Sequence, residues 1–231
     1  MVCFSFQFKC CNIYCYNIYL YPNSKMNQTL KNLISMKKSI APIILLLSTG
    51  AAAVAQTWKI DPTHSKIGFT AKYLVISDVD GEFKDFNGTV TASNADWSDL
   101  SINAQVNVNS INTDNEMRDK HLKSDDFFNA EKFPFILFKS TGIKPLGNNK
   151  FVLRGDLTIR DVTRHVEWPM TYGGTVKDPW GNIKAGFKIS ASINRQEYGL
   201  KYTGAAATGE AVVSDNIDFT INTILVKQPN N

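Results

Sequence analysis

An all-β domain of antiparallel strands is predicted for residues 56–231, and two observations predict it. Apolar residues recur at every second position through about eight separate segments, as strands with one buried face require. Short clusters of Gly, Asn, Asp and Pro stand between them, and strands joined by short turns pair antiparallel. An eight-stranded closed barrel and a two-sheet sandwich satisfy this pattern equally.

In chain order, Ile67, Phe69, Ala71, Tyr73 and Val75 make the first alternating row, and a second strand runs from Phe83 to Thr91. Ile102, Ala104, Val106 and Val108 alternate with Asn103, Gln105, Asn107 and Asn109 in the next. Pro134 fixes an extended start for FPFILFKS, a strand apolar on both faces because Phe135 and Leu137 alternate with Ile136 and Phe138. Phe151 to Ile159, Val166 to Tyr172, Phe187 to Ile193 and Ile217 to Leu225 complete the set. Asp80-Gly81, Gly147-Asn148-Asn149, Asp178-Pro179-Trp180-Gly181 and Gly204 are the expected breaks.

Helix is confined to one or two short segments. Thr113 with Glu116 three residues on is a capping-box pattern, and the i,i+4 pairs Asp114/Arg118 and Glu116/Lys120 suit a helical turn reaching Lys123. Met117 and Leu122 give that turn a small apolar side, which is expected to cover the outer face of the 134–141 strand. Ser124 offers a second cap, with Asp125 and Asp126 as dipole-compatible neighbours. A further turn is expected near Gln196 to Leu200.

The front of the chain is a different kind of sequence. All four cysteines (Cys3, Cys10, Cys11, Cys15) precede residue 16, and all acidic residues follow residue 55. Met36-Lys37-Lys38, the apolar run Ile40 to Leu47 and Ala53-Val54-Ala55 read as a secretory signal over residues 36–55, cleaved before Gln56. The apolar run is about half the ~20 residues that a membrane span needs, so no permanent anchor is expected. Residues 1–35 then read as an over-extended N-terminus. The exported domain, periplasmic or secreted, contains no cysteine and must be held by packing rather than disulfides. Of the 25 Lys and Arg, five (Lys9, Lys25, Lys31, Lys37, Lys38) precede residue 56, which leaves 20 against 21 acidic residues. The basic character of the full chain therefore belongs to its front, and it gives no argument for nucleic acid as a partner.

Catalytic chemistry finds little support. His64, His121 and His165 lack the spacing of metal ligands, and H-x-x-x-H, C-x-x-C and H-E-x-x-H are absent. Neither a G-x-S-x-G elbow nor a thiol nucleophile occurs after residue 55, and Gly173-Gly174 lacks the lysine and helix of a phosphate loop. No cofactor is implied. Small residues instead interrupt the inward rows: Ala71, Ala104, Gly155 and Ala191 each stand between larger apolar neighbours. In a barrel they would leave a channel; in a sandwich they would pack against larger partners.

The segment 111–140, with T-x-x-x-x-R-D-x-H-L-x-S-x-D-F-F-x-A-x-K-F-P-x-I-x-F-x-S, resembles the signature of the YceI-like family. Trp58-Lys-Ile-Asp-Pro-Thr-His64-Ser, Gly81-Glu-Phe-Lys-Asp-Phe-Asn-Gly88, Gly155-Asp-Leu-Thr-Ile-Arg and Arg195-Gln-Glu-Tyr-Gly-Leu200 match it further and in order. Asp161 stands where the family usually has glycine and Tyr198 where it usually has phenylalanine. The resemblance implies an extended, lipocalin-like eight-stranded antiparallel barrel that holds a long-chain isoprenoid or other apolar lipid, without catalysis. The lumen is then expected to be lined by Phe69, Ala71, Tyr73, Phe83, Ile102, Ala104, Val106, Phe135, Leu153, Trp168, Phe187, Ile189, Ala191 and Phe219. His64, Arg118, His121 and Lys123 are expected at the rim, facing a polar head group. The rival readings are a filled barrel acting as an envelope stress or interaction module, and a lipid-modifying enzyme using His64 or His121.

Overall fold

The computed structural model describes residues 55–207, 209 and 211–229. The anticipated 1–35 extension and all but the last residue of the 36–55 signal lie outside the described residues. Eleven strands follow in chain order: β1 (Gln56–Ile60), β2 (Lys66–Tyr73), β3 (Ser77–Phe83), β4 (Phe86–Ala92), β5 (Ser101–Asn107), β6 (Ile111–Asn112), β7 (Phe135–Gly147), β8 (Lys150–Ile159), β9 (Val162–Lys177), β10 (Ile183–Asn194) and β11 (Val213–Lys227). Among the described residues one α-helix, α1 (Glu116–Lys123), stands between β6 and β7.

Eight strands close an antiparallel barrel in the order β1-β4-β5-β7-β8-β9-β10-β11, the ring being sealed by pairing of β11 with β1. Closure leaves the ring without a free edge. The free side of β11 is shared: Leu225 to Lys227 pair with β1, whereas Val213 to Asn222 pair with β2, from which β3 and the short β6 continue the sheet. The period-two pattern does what it predicts. Along β8, Phe151, Leu153, Leu157 and Ile159 are buried while Val152, Arg154, Asp156 and Thr158 are only partly so. Bulges in the β7–β8, β9–β10 and β11–β2 ladders break up the longest runs and bend the strands around the barrel.

The sequence pattern left β1, β3 and β6 unassigned, and it misplaced one turn. β2 ends at Tyr73, and the chain reverses at Leu74 and Val75, both in the left-handed region (φ 50° and 63°), with the Ile76 N–H donating to the Tyr73 carbonyl at 3.2 Å. Asp80-Gly81 instead lies within β3, opposite Phe69 and Thr70. Gly81 serves close approach rather than reversal, because a Cβ there would collide with the Phe69 ring.

The helix also differs from expectation. Its N-cap is Asn115, whose side chain accepts from the Arg118 N–H at 3.0 Å, and Ser124 is its C-cap. Thr113 lies before the helix, buried, where its N–H and hydroxyl both donate to the Asp119 carboxylate at 2.9 and 2.6 Å. Met117 is 85% exposed, and the outer side chains Phe135 and Leu137 remain about half exposed at 42% and 45%. The helix therefore does not cover the outside of β7; it packs on β6, and its Leu122 is turned into the barrel.

Candidate functional site

Inward rows from the barrel strands enclose a cavity of about 250 Å³. Of the expected lumen residues, Phe69, Ala71, Phe83, Ile102, Ala104, Val106, Leu153, Trp168, Phe187, Ile189 and Phe219 line it. Ile136 and Phe138 line it as well, as do Leu122, Phe127 and Phe128 from the segment before β7. Among the lining residues only Trp168, Arg195 and Thr223 have side chains with nitrogen or oxygen atoms, so the wall is almost wholly hydrocarbon.

Three expectations are corrected. Phe135 faces outward, because the alternation of β7 places Ile136 and Phe138 inside and only one face of a strand can point to the lumen. Tyr73, at the tip of β2, is 44% exposed. Ala191 packs against the core without lining the cavity, opposite Phe219 on β11. Gly155 does not hold the lumen open either: the Phe138 ring lies where its Cβ would be, and that ring stacks on Trp168 with centroids 5.2 Å apart. Ala71 and Ala104 are the small residues that do face the cavity.

The two ends of the barrel are closed by different means. At the end carrying the β7–β8 and β9–β10 turns, Trp97 inserts from the β4–β5 connection with φ 62° and is 5% exposed. Its ring lies 5.0 Å from Trp58, 5.0 Å from Phe187 and 5.8 Å from Tyr172. This is an aromatic plug held by burial and edge-to-face contact.

At the opposite end, the 124–130 segment and residues 195–202 close over the lumen, and arginines hold them. Arg160, in the turn between β8 and β9 (φ 55°), donates from Nη1 to the carbonyls of Asp125, Phe127 and Gly199 at 3.1, 2.9 and 3.1 Å, and from Nη2 to the Asp125 carboxylate at 3.0 Å. Arg195, 4% exposed, donates from Nε to Ser214, from Nη1 to Leu200 and from Nη2 to Asp215 Oδ1. Burial pushes its guanidinium pKa down, and Asp215 opposes that shift. Tyr198, three residues further on and 2% exposed, has its phenol pushed up to about 12, chiefly by burial and further by Glu197. Both arginines belong to stretches noted in the sequence, but their role shows only when the carbonyls they bind are brought together.

The four expected rim residues do not form one cluster. His64 lies in the β1–β2 connection, 2.8 Å from Asp61, which Lys184 also reaches at 3.2 Å. Desolvation raises the Asp61 carboxyl, but hydrogen bonds from His64 and Lys184 outweigh it and hold the group below the usual carboxylate range. Arg118 turns back on Thr113, donating from Nε to its hydroxyl at 2.7 Å and from Nη2 to its carbonyl at 2.6 Å. His121 pairs with Asp126 at 2.8 Å and packs edge-on against Phe127 and Tyr202. Lys123 remains on α1 with His121, at the arginine-held end. Asp125 and Asp126, expected as caps, are instead tie points for Arg160 and His121. Among the described residues no group of three or more His, Cys, Asp or Glu is placed to hold a metal ion.

This architecture has known counterparts. The model of the YceI-like domain matches residues 58–225. A UPF0312 protein of Photorhabdus laumondii is 39% identical over 158 residues, covering 68% of this chain and 82% of that one. The crystal structure of the Campylobacter jejuni YCEI protein aligns with a TM-score of 0.58 at 29% identity, covering 69% of this chain and 90% of that one. A polyisoprenoid binding domain from Saccharophagus degradans shares the fold at 14% identity, with a TM-score of 0.56 over 74% of this chain and 98% of its own. With its barrel closed in the same way and the family pattern running through β1 to β11, the chain belongs to the YceI-like family.

Proposed function

We propose that the barrel holds one long apolar molecule, an isoprenoid chain or a similar lipid, in its lumen, and that it does so without transforming it. The observation that carries this reading is the hydrocarbon-walled cavity of about 250 Å³. It exceeds the roughly 150 Å³ of an apolar cavity that takes up benzene. At ~24 cal/mol per Å³, a cavity of that size costs on the order of 6 kcal/mol if nothing occupies it, a large share of the ~5–15 kcal/mol that keeps a domain folded. A filled barrel is thus the weaker alternative, because this core does not fill itself. The polyisoprenoid-binding description of the S. degradans domain supports the same ligand class.

Binding is favoured over catalysis because neither His64 nor His121 lines the cavity, and both are paired with carboxylates outside it. Export of residues 56–231 to the periplasm, with transport, storage or protection of the lipid as the task, completes the proposal. Its test is organic extraction of the protein purified from its own envelope. A prenyl or acyl compound at one per chain is expected; an extract without a stoichiometric lipid would favour the filled-barrel module.

A further inference from the structure

The β2–β3 turn breaks two rules at once. A hairpin turn whose two central residues both have positive φ strongly prefers Asn-Gly, because β-branched or bulky side chains are strained there. Here the two positions are Leu74 and Val75, at φ 50° and 63°. The turn also exposes apolar side chains: Val75 is 71% and Ile76 85% exposed, neighbouring Tyr73 is 44% exposed, and only Leu74 is partly buried. Strain and exposed hydrocarbon both disfavour this turn in water, so a sequence that retains both has a use for them elsewhere.

Its position gives that use. Leu74 N–H donates to the Val212 carbonyl at 3.1 Å, and Tyr73 pairs with Val213, a residue of the cavity wall. The Arg195 Nε, which helps hold the closure of this end, binds the next carbonyl, Ser214. The apolar tip therefore stands beside the arginine-held end of the barrel, not beside the aromatic plug.

We infer that this tip is a wedge that inserts into a lipid surface and seats the arginine-held end of the barrel against it. Four residues cannot supply the roughly 800 Å² per partner that a stable protein interface buries, whereas a bilayer accepts single aliphatic side chains. The flanking charges are already satisfied: Lys72 pairs with Asp78 at 2.6 Å, and the Thr70 hydroxyl donates to Asp80 at 2.6 Å. The recognised surface is therefore the apolar layer of a neutral bilayer, not its charge. The inference goes beyond the ligand reading and does not need it, since insertion is a property of the tip alone.

The experiment is flotation of the ligand-free protein with phosphatidylcholine vesicles, comparing wild type with the double variant Leu74→Asn/Val75→Gly. Wild type is expected to float with the vesicles. The variant should lose up to about tenfold in partitioning, because the exposed Val75 side chain leaves the bilayer. Its melting temperature should be equal or higher, since Asn-Gly suits the turn. Ile76→Ser, at a position already in water, should lose partitioning in the same direction. Vesicle binding unchanged in both variants, or absent in the wild type, overturns the inference. Lipid content of the same preparations is measured separately, so failure of the wedge leaves the lumen reading standing and the converse holds.

Discussion

One end of this barrel is closed by an aromatic plug and the other by hydrogen bonds from two arginines. Trp97 is surrounded by Trp58, Tyr172 and Phe187, and its closure comes from burying large rings. Such contacts are lost only when the side chain leaves the core. Arg160 and Arg195 instead join segments 125–127, 199–200 and 213–215 through backbone carbonyls. Hydrogen bonds from a charged donor contribute about 1.5–3 kcal/mol each, but water can replace them on opening, as it cannot replace contacts between rings. The difference teaches which end is fixed and which can move. Opening at either end exposes buried side chains, Phe127, Tyr198 and Leu200 at the arginine-held end and the indoles at the other, so ligand entry is expected where hydrogen bonds to water offset part of that cost.

Breaking the plug should have the largest effect. Trp97→Ala removes a buried indole and is expected to cost about 3–5 kcal/mol, read by chemical denaturation of the ligand-free protein. A cost below 1 kcal/mol would mean that the plug is not part of the core. Thr113→Ala should follow at about 1–3 kcal/mol, because Asp119 would keep its burial but lose the hydroxyl that donates to it. The loss belongs to this buried pair and not to a helix cap, so Asn115→Ala should lower stability independently of it. Arg160→Ala should cost no more than Thr113→Ala, about 1–3 kcal/mol, because its charged donors are lost while water can reach most of the groups they leave. Its signature is kinetic: a bound apolar probe should leave faster from this variant, while Trp97 variants that remain folded change affinity more than release. Unchanged release from Arg160→Ala would place the opening elsewhere.

The strands were legible in the residues because they are half-buried and therefore written in period two, whereas the choice of barrel over sandwich came from the family resemblance. β3 escaped for the opposite reason: SDVDGEF has only Val79 and Phe83 as large apolar residues, and its remaining inward position is glycine. The helix start was ambiguous because Thr113 and Asn115 both belong to the capping set, and only the fold shows that Thr113 is used for Asp119. Small residues in inward rows reported room without saying what fills it. At Gly155 a neighbouring ring takes the space, while at Ala71 and Ala104 the cavity does. The same limit applies to Phe135, since a strand apolar on both faces does not say which face is inside. The arginine closure was illegible, because backbone carbonyls from distant segments carry no sequence signature.

The central claim is that the lumen is occupied space, and a pair of substitutions tests it most directly. Ala104 lines the cavity, whereas Ala191 packs beside it in the wall. The measurement is native mass spectrometry of each tryptophan variant, purified from its own envelope, alongside thermal unfolding of the delipidated forms. Ala104→Trp is predicted to keep its stability and lose the bound apolar mass, because the indole takes the ligand's place. Ala191→Trp should overpack the wall at about 1–3 kcal/mol and still carry the ligand. An Ala104→Trp protein that is strongly destabilised yet retains the same bound mass as wild type would contradict the account.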